Sequence, residues 1–111
     1  MKFLMLVLSD PDRSSDEEPP VSIEQWVDEV YGSGKALDGD RLRPSSEAKT
    51  IRRREGEVRV ADGPAAPAQV EIAGFDILEC ADLDEAVAVA SRHPMATSGI
   101  IELRPAWPLD L

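Results

Sequence analysis

The sequence is poor in the residues that most often carry catalysis or cross-links. It has one cysteine, Cys80, and one histidine, His93. An internal disulfide is therefore excluded, and a zinc site built from cysteines and histidines has too few ligands. Such a chain suits a reducing, cytoplasmic compartment. Positive charge is also scarce: 12 Lys and Arg stand against 22 Asp and Glu, for a formal net charge of −10. That sign repels phosphate backbones and anionic lipid, so nucleic acid and membrane surfaces are poor partners. Long hydrophobic runs are missing. The apolar opening around Phe3 to Leu8 is short and is followed by Asp10, Asp12 and Arg13 without a small-residue cleavage site, so it reads as a strand and not as a secretory address. No later run approaches the roughly 20 residues that cross a bilayer. Glycine-rich phosphate loops, a Gly-x-Ser-x-Gly elbow, His-Glu-x-x-His and calcium-loop patterns are all absent, which removes the usual support for nucleotide, hydrolase and metal readings. No metal and no cofactor are expected.

What is present is enough for one ordinary domain spanning residues 1–111. Hydrophobic residues make up 42% and charged residues 31% of the chain, a balance that supplies a core and a wet surface. Residues 2–8 are apolar on both alternating sets, Phe3/Met5/Val7 and Leu4/Leu6/Leu8, which predicts a central strand buried on both faces. Residues 9–20 are acidic and proline-bearing and predict a loop. A helix follows, opened by Ser22 with Gln25 as a capping box. Its stripe is Ile23, Trp26, Val27, Val30 and Tyr31, and Gly34 is a natural stop.

Residues 35–42 look like a short extended piece and a turn, that is, connecting structure. Residues 48–53 and 57–61 predict a hairpin about Glu55-Gly56. Residues 70–80 predict a strand with Val70/Ile72/Leu78 on one set and Ala73/Phe75/Ile77 on the other. Asp82 and Glu85 mark a second helix start, and Leu83, Ala86, Val87 and Ala90 form its stripe until Pro94 stops it. Residues 99–104 close the pattern as a last strand.

This order predicts an α+β, ferredoxin-like split βαβ fold: a four-stranded antiparallel sheet with two helices on one face and an extra hairpin. Two helices cover only one face, yet the strands at 2–8 and 70–80 are apolar on both. A homodimer packed sheet face to sheet face, of the dimeric α+β barrel type, supplies the missing cover; loops folded over that face are the alternative.

Few residues carry candidate chemistry. His93 titrates near neutrality and sits near the sheet-facing stripe of the second helix. It could move a proton if a carboxylate such as Asp62 or Asp76 fixes its tautomer, or it could simply cap the C-terminus of that helix. Asp76 interrupts an apolar strand and needs a partner or an open edge. Arg104, beside Glu102, could answer Asp76 or a ligand carboxylate, or form a plain surface pair. The arginines at 52–54 point to alternate faces and read as solvated charge.

The turn Asp62-Gly63-Pro64, the run from Ala73 through Gly74, Phe75 and Asp76 to Glu79, the helix start Asp82-Leu83-Asp84-Glu85-Ala86 and the ending from Gly99 to Pro108 together resemble the YCII-related (DGPF) family over nearly the whole chain. The resemblance implies a ferredoxin-like, dimeric α+β domain, with enzymatic work by a histidine and aspartate pair suspected in the wider group. One departure is plain: the family's Asp-Gly-Pro-Phe reads Asp62-Gly63-Pro64-Ala65 here. The histidine of the YciI-like branch lies near the first helix, whereas this first helix has none. On this footing Asp62 and His93 are the candidate catalytic pair, although Asp62 also suits a simple turn role. Gly63, Pro64, Gly74, Asp76 and Arg104 are the candidate ligand-binding residues. Two functions stay open. One is a cofactor-independent lyase- or isomerase-like enzyme acting on a small polar metabolite held between sheet, second helix and the loop at 9–20. The other is a non-catalytic dimeric module that binds a ligand or a protein.

Overall fold

A computed structural model describes residues 1–12, 16–66 and 69–111. Part of the loop expected at 9–20, residues 13–15, lies outside the described residues, as do Pro67 and Ala68 after the Asp-Gly-Pro turn. The elements run β1 (Lys2–Leu8), α1 (Ile23–Gly32), β2 (Ala36–Arg41), β3 (Lys49–Arg54), β4 (Glu57–Asp62), β5 (Ile72–Glu79), α2 (Leu83–Ser91), α3 (Pro94–Ser98) and β6 (Ile100–Pro105). Four strands form one sheet in the order β2-β5-β1-β6, and β3 and β4 form a separate two-stranded sheet. All four pairings are antiparallel. With the hairpin set aside, this is the ferredoxin-like α+β order, with the two longest strands central.

The helix starts are built as the capping residues predict. Ser22 Oγ accepts the Gln25 amide at 3.1 Å while the Gln25 side chain accepts the Ser22 amide at 3.1 Å, so two amides that the helix leaves unpaired are satisfied. Asp82 accepts the Glu85 amide at 2.8 Å, and Glu85 reaches back to the Ala81 amide. At the end of α1, Lys35 N–H donates to Val30 and Gly34 N–H to Tyr31, and Gly34 takes the positive φ this closure requires. The hairpin turns on Glu55 and Gly56, both at positive φ, as a two-residue turn between twisted strands demands.

The alternation in β1 sorts its side chains sharply. Phe3 and Met5 are 1% and 0% exposed, and with Val7 they pack beneath Trp26, Val30, Leu78, Ala86, Val89 and Ala90. The register carries Ile101 and Leu103 of β6 to the same side, opposite Val7 and Met5. Each large side chain in this layer contributes about 1.5–3 kcal/mol on burial. The indole N–H of Trp26 donates to the Val89 carbonyl at 2.9 Å, which ties α1 to α2. On the opposite face lie Leu4, Leu6 and Leu8, registered against Ile77, Phe75 and Ile72. Leu4, Ile72 and Ile100 are exposed there, and neither main helix lies over them.

Three expectations are corrected. Residues 35–42 are not a mere connection: β2 is the edge strand that completes the sheet. It shows no apolar alternation because only Ala36 is buried, and edge strands commonly carry charge that blocks further pairing. The strand expected at 70–80 begins at Ile72. Pro94 does not end the helical region. α2 stops at Ser91, and Pro94 opens α3, where its fixed φ and missing N–H suit the first helical position.

Candidate functional site

Where α1 meets the β2–β5 edge, the helix-covered face of the sheet is not sealed. A cleft of about 540 Å³ opens there, with Trp26, Val27 and Tyr31 on the α1 side, Gly39 and Arg41 on β2, and Gly74 to Asp76 on β5. His93 and Met95 close the far wall. The volume is within the range of small-molecule sites. Two glycines help create it. Gly39 is registered opposite Asp76 and Gly74 opposite Arg41, so two positions of the floor carry no side chain.

Asp76, the lone carboxylate in an apolar strand, finds its partner in α1. The Tyr31 hydroxyl donates to Asp76 Oδ1 at 2.5 Å. Burial pushes the Asp76 carboxyl above its ordinary value, against the opposing pull of the Tyr31 hydrogen bond. Burial and the nearby Asp76 charge push the Tyr31 phenol up as well, so the phenol stays protonated and keeps donating. The pair needs Gly39. A Cβ there would collide with Asp76 Oδ1, and would lie 2.5 Å from the Phe75 carbonyl oxygen and 2.7 Å from the Tyr31 hydroxyl. Backbone, phenol and carboxylate are thus packed to a tolerance that excludes even a methyl group.

His93 is only 6% exposed. Its ring stands edge-on to Trp26 of α1 with centroids 4.7 Å apart. It does not cap the end of α2 with its side chain; it caps the start of α3. The Met95 amide donates to His93 Nδ1 at 3.0 Å. A ring nitrogen that accepts an N–H carries no proton, so the neutral ring bears its proton on Nε2. A backbone amide, and not a carboxylate, sets the tautomer. Burial also lowers the pKa of the imidazole, which keeps it neutral near pH 7. In this state His93 can donate from Nε2 but has no free lone pair with which to act as a base.

The remaining sequence candidates are spread over the molecule. Asp62 ends β4 in the hairpin, is exposed and pairs with Lys49; it does not line the His93 cleft. The Gly63 amide donates to Ala48 at 2.8 Å and its carbonyl accepts from Thr50, closing the base of the hairpin. Pro64 lines a second cavity of about 470 Å³ at that base. The polar groups of that cavity satisfy one another: Glu71 accepts both the amide and the hydroxyl of Ser45, which holds its carboxyl below the usual value. Arg104 does not reach Asp76. Its Nε donates to Glu102 at 2.8 Å on the open face, the surface pair anticipated as one alternative. Of the seven candidates, Gly74, Asp76 and His93 share one cleft.

The cleft also lies elsewhere than expected. Its helical wall is α1, not α2, and among the described residues none of its lining comes from 9–20. Tyr31 and Arg41 were missed, Tyr31 because it completes an apolar stripe and Arg41 because its strand went unseen. A signal for Tyr31 existed. A phenol on a core stripe needs a hydrogen-bond partner, and Asp76 was the carboxylate that lacked one.

The family model of the YCII-related domain matches residues 1–110. A protein of Rhizobium meliloti (strain 1021), described only as an uncharacterized protein, is 39% identical over 75 residues, which are 66% of this chain. The matched stretch spans 60% of that relative's length.

Proposed function

Since the chain belongs to the YCII-related family, we propose that it is a homodimeric small-molecule domain whose cleft performs cofactor-independent proton transfer, of the isomerase or lyase type. The observation that carries this reading is the 2.5 Å Tyr31–Asp76 hydrogen bond in a cleft that also holds His93. Asp76 is the base. Tyr31 holds Oδ1, and no hydrogen bond within the described residues engages Oδ2, which is free to take a proton from substrate. A carboxyl raised by burial is better matched to that task than an exposed one. His93 Nε2–H is the donor. Placed on a carbonyl oxygen, it stabilises the negative charge that forms there as Asp76 removes a proton from the neighbouring carbon. Return of that proton to a second carbon completes an isomerisation; loss of a leaving group from the adjacent carbon completes an elimination. Asp62 keeps the hairpin role that its pairing with Lys49 supports.

The open sheet face supports the homodimer. Leu4, Leu6, Leu8, Phe75 and Ile77 form a contiguous apolar surface by register, and a second copy seated on it covers both faces at once. No helix among the described residues is long and apolar enough to cross a membrane.

A panel of small carbonyl compounds in deuterium oxide, followed by NMR, tests the chemistry. The expected result is solvent deuterium entering beside the carbonyl of at least one compound, with Asp76→Asn slowing exchange by about 10²-fold or more and Asp62→Asn leaving it unchanged. Exchange indifferent to Asp76→Asn, or absent throughout the panel, overturns the reading.

A further inference from the structure

Among the described residues one cation, Arg41, lines the cleft, and it has no ion-pair partner there. Arg43, Lys49, Arg92 and Arg104 each hold a carboxylate of the same chain. Arg41 makes no ion pair and no side-chain hydrogen bond among the described residues. It nevertheless lines the cleft that holds Asp76 and His93. Arg52, Arg53 and Arg59 of the hairpin likewise form no ion pair among the described residues, and Arg41, exposed as they are, differs from them in lining the cleft. The floor beside it is bare because its register partner is Gly74. A Cβ on Gly74 would stand 2.9 Å from the Asp40 carbonyl oxygen and 3.4 Å from Arg41 Cα, so the strand pair is closed too tightly there for any side chain to stand over the arginine's base.

The other walls limit what the guanidinium can hold. Ile23, Trp26, Val27 and Met95 offer apolar contact in the cleft, whose lining otherwise includes Asp40 and the Asp76, Tyr31 and His93 cluster. The neighbours of Arg41 are acidic: Asp40 adjoins it on the strand, and Asp76 lies in the same cleft. With a formal net charge of −10 on the whole chain, a dianion such as a phosphate monoester meets more repulsion than one arginine offsets. A singly charged carboxylate suits the fork of a guanidinium and adds only one negative charge.

We infer that Arg41 anchors the carboxylate of a small monocarboxylate substrate, whose apolar body lies on Trp26 and Val27 and whose reacting end reaches Asp76 and His93. This assignment of substrate class rests on the proton-transfer reading of the same cleft. It adds a residue that positions the substrate and a chemical class that the reading alone does not specify.

Benzoate and its neutral isostere benzamide are the probes. Binding is followed by the shifts of the Trp26 indole N–H and the His93 ring protons, in the wild type, in Arg41→Gln and in Arg43→Gln as a control at a cation that already has a partner. Benzoate is expected to bind in the cleft about tenfold or more tightly than benzamide, as a charge-assisted hydrogen bond implies. Arg41→Gln should abolish that preference without weakening benzamide, and Arg43→Gln should preserve it. Equal binding of the two probes to the wild type, a preference that survives Arg41→Gln, or no shift at Trp26 and His93 with either probe overturns the assignment. Its failure is distinguishable from that of the parent reading. Deuterium exchange that depends on Asp76 with neutral carbonyl compounds but no benzoate preference removes the anion anchor alone. A benzoate preference that depends on Arg41 without any exchange chemistry removes the proton-transfer reading and leaves a carboxylate-binding module.

Discussion

The two faces of the four-stranded sheet are nearly equal in hydrophobic content and opposite in fate. On β1, Phe3, Met5 and Val7 disappear under α1 and α2, while Leu4, Leu6 and Leu8 point away from both helices. Hydrophobicity on one face is used in folding and on the other is left over, so apolar content alone does not say whether a residue serves the core or an assembly. The covered face is itself divided. Near α2 it is filled by Leu78, Ala86, Val89 and Ala90. Toward the β2 edge, Gly39 and Gly74 withhold side chains, and the gap becomes a cleft with a phenol, a carboxylate and an imidazole around it. The site is thus a deliberate underfilling of the face that the fold otherwise packs most tightly.

The largest expected effect separates the two faces on one strand. Phe3→Ala should lower stability by about 3–5 kcal/mol at every protein concentration, measured by denaturant titration. Leu6→Glu leaves the core intact but places an unpaired charge in the proposed dimer contact, where burial costs several kcal/mol. Analytical ultracentrifugation should then show the mass halved, and the Tm should lose any dependence on concentration. A monomeric wild type, or a Leu6→Glu protein that unfolds outright, would erase the distinction between the faces.

A smaller effect sharpens the division within the covered face. Gly39→Ala should cost about 1–3 kcal/mol by overpacking and should move the Tyr31 and Asp76 resonances together, because the added methyl collides with both. Asp76→Asn keeps an acceptor for Tyr31 and removes a carboxyl whose ionisation burial opposes. Its Tm at pH 7 should be unchanged or higher while function is lost, the pattern of a group retained for activity at some expense to stability.

The pH dependence is smaller still and has a definite sign. The folded chain holds the imidazole of His93 below its ordinary pKa, so between that depressed value and about 6.5 the unfolded chain binds more protons. Stability should therefore fall as pH drops through this window, and His93→Asn should flatten the fall. Asp76 acts in the opposite sense. Its raised pKa means that acidification above the ordinary carboxylate value favours the folded state, and Asp76→Asn should remove that gain.

Much of the fold was legible because its signals are local. The capping box at Ser22, the N-cap at Asp82, the Glu55-Gly56 turn and the strand β1 each depend on neighbours in sequence, and each appears in the structure. β2 was illegible for a physical reason: an exposed edge strand pairs by its backbone and carries Asp38, Gly39 and Asp40 without a periodic apolar signature. The site was legible only in fragments. Asp76 declared itself as a polar residue out of place, and His93 by its uniqueness. Their surroundings come from tertiary contacts at long sequence separation, Tyr31 with Asp76 and Trp26 with His93, which no local pattern encodes. Asp62 attracted attention through its turn motif and proved to pair with Lys49 at the foot of the hairpin.

In the proposed reaction Asp76 takes the proton and His93 gives a hydrogen bond. Nitrogen-15 NMR of the single imidazole tests the second half directly, since charge and tautomer are both visible in the two ring-nitrogen shifts. The predicted spectrum at pH 7 is a neutral ring protonated on Nε2, titrating below about 6.5 and unchanged by Asp62→Asn. An imidazolium at pH 7, or a neutral ring protonated on Nδ1, would contradict it, because either state breaks the Met95 cap and reassigns what His93 can do in the cleft.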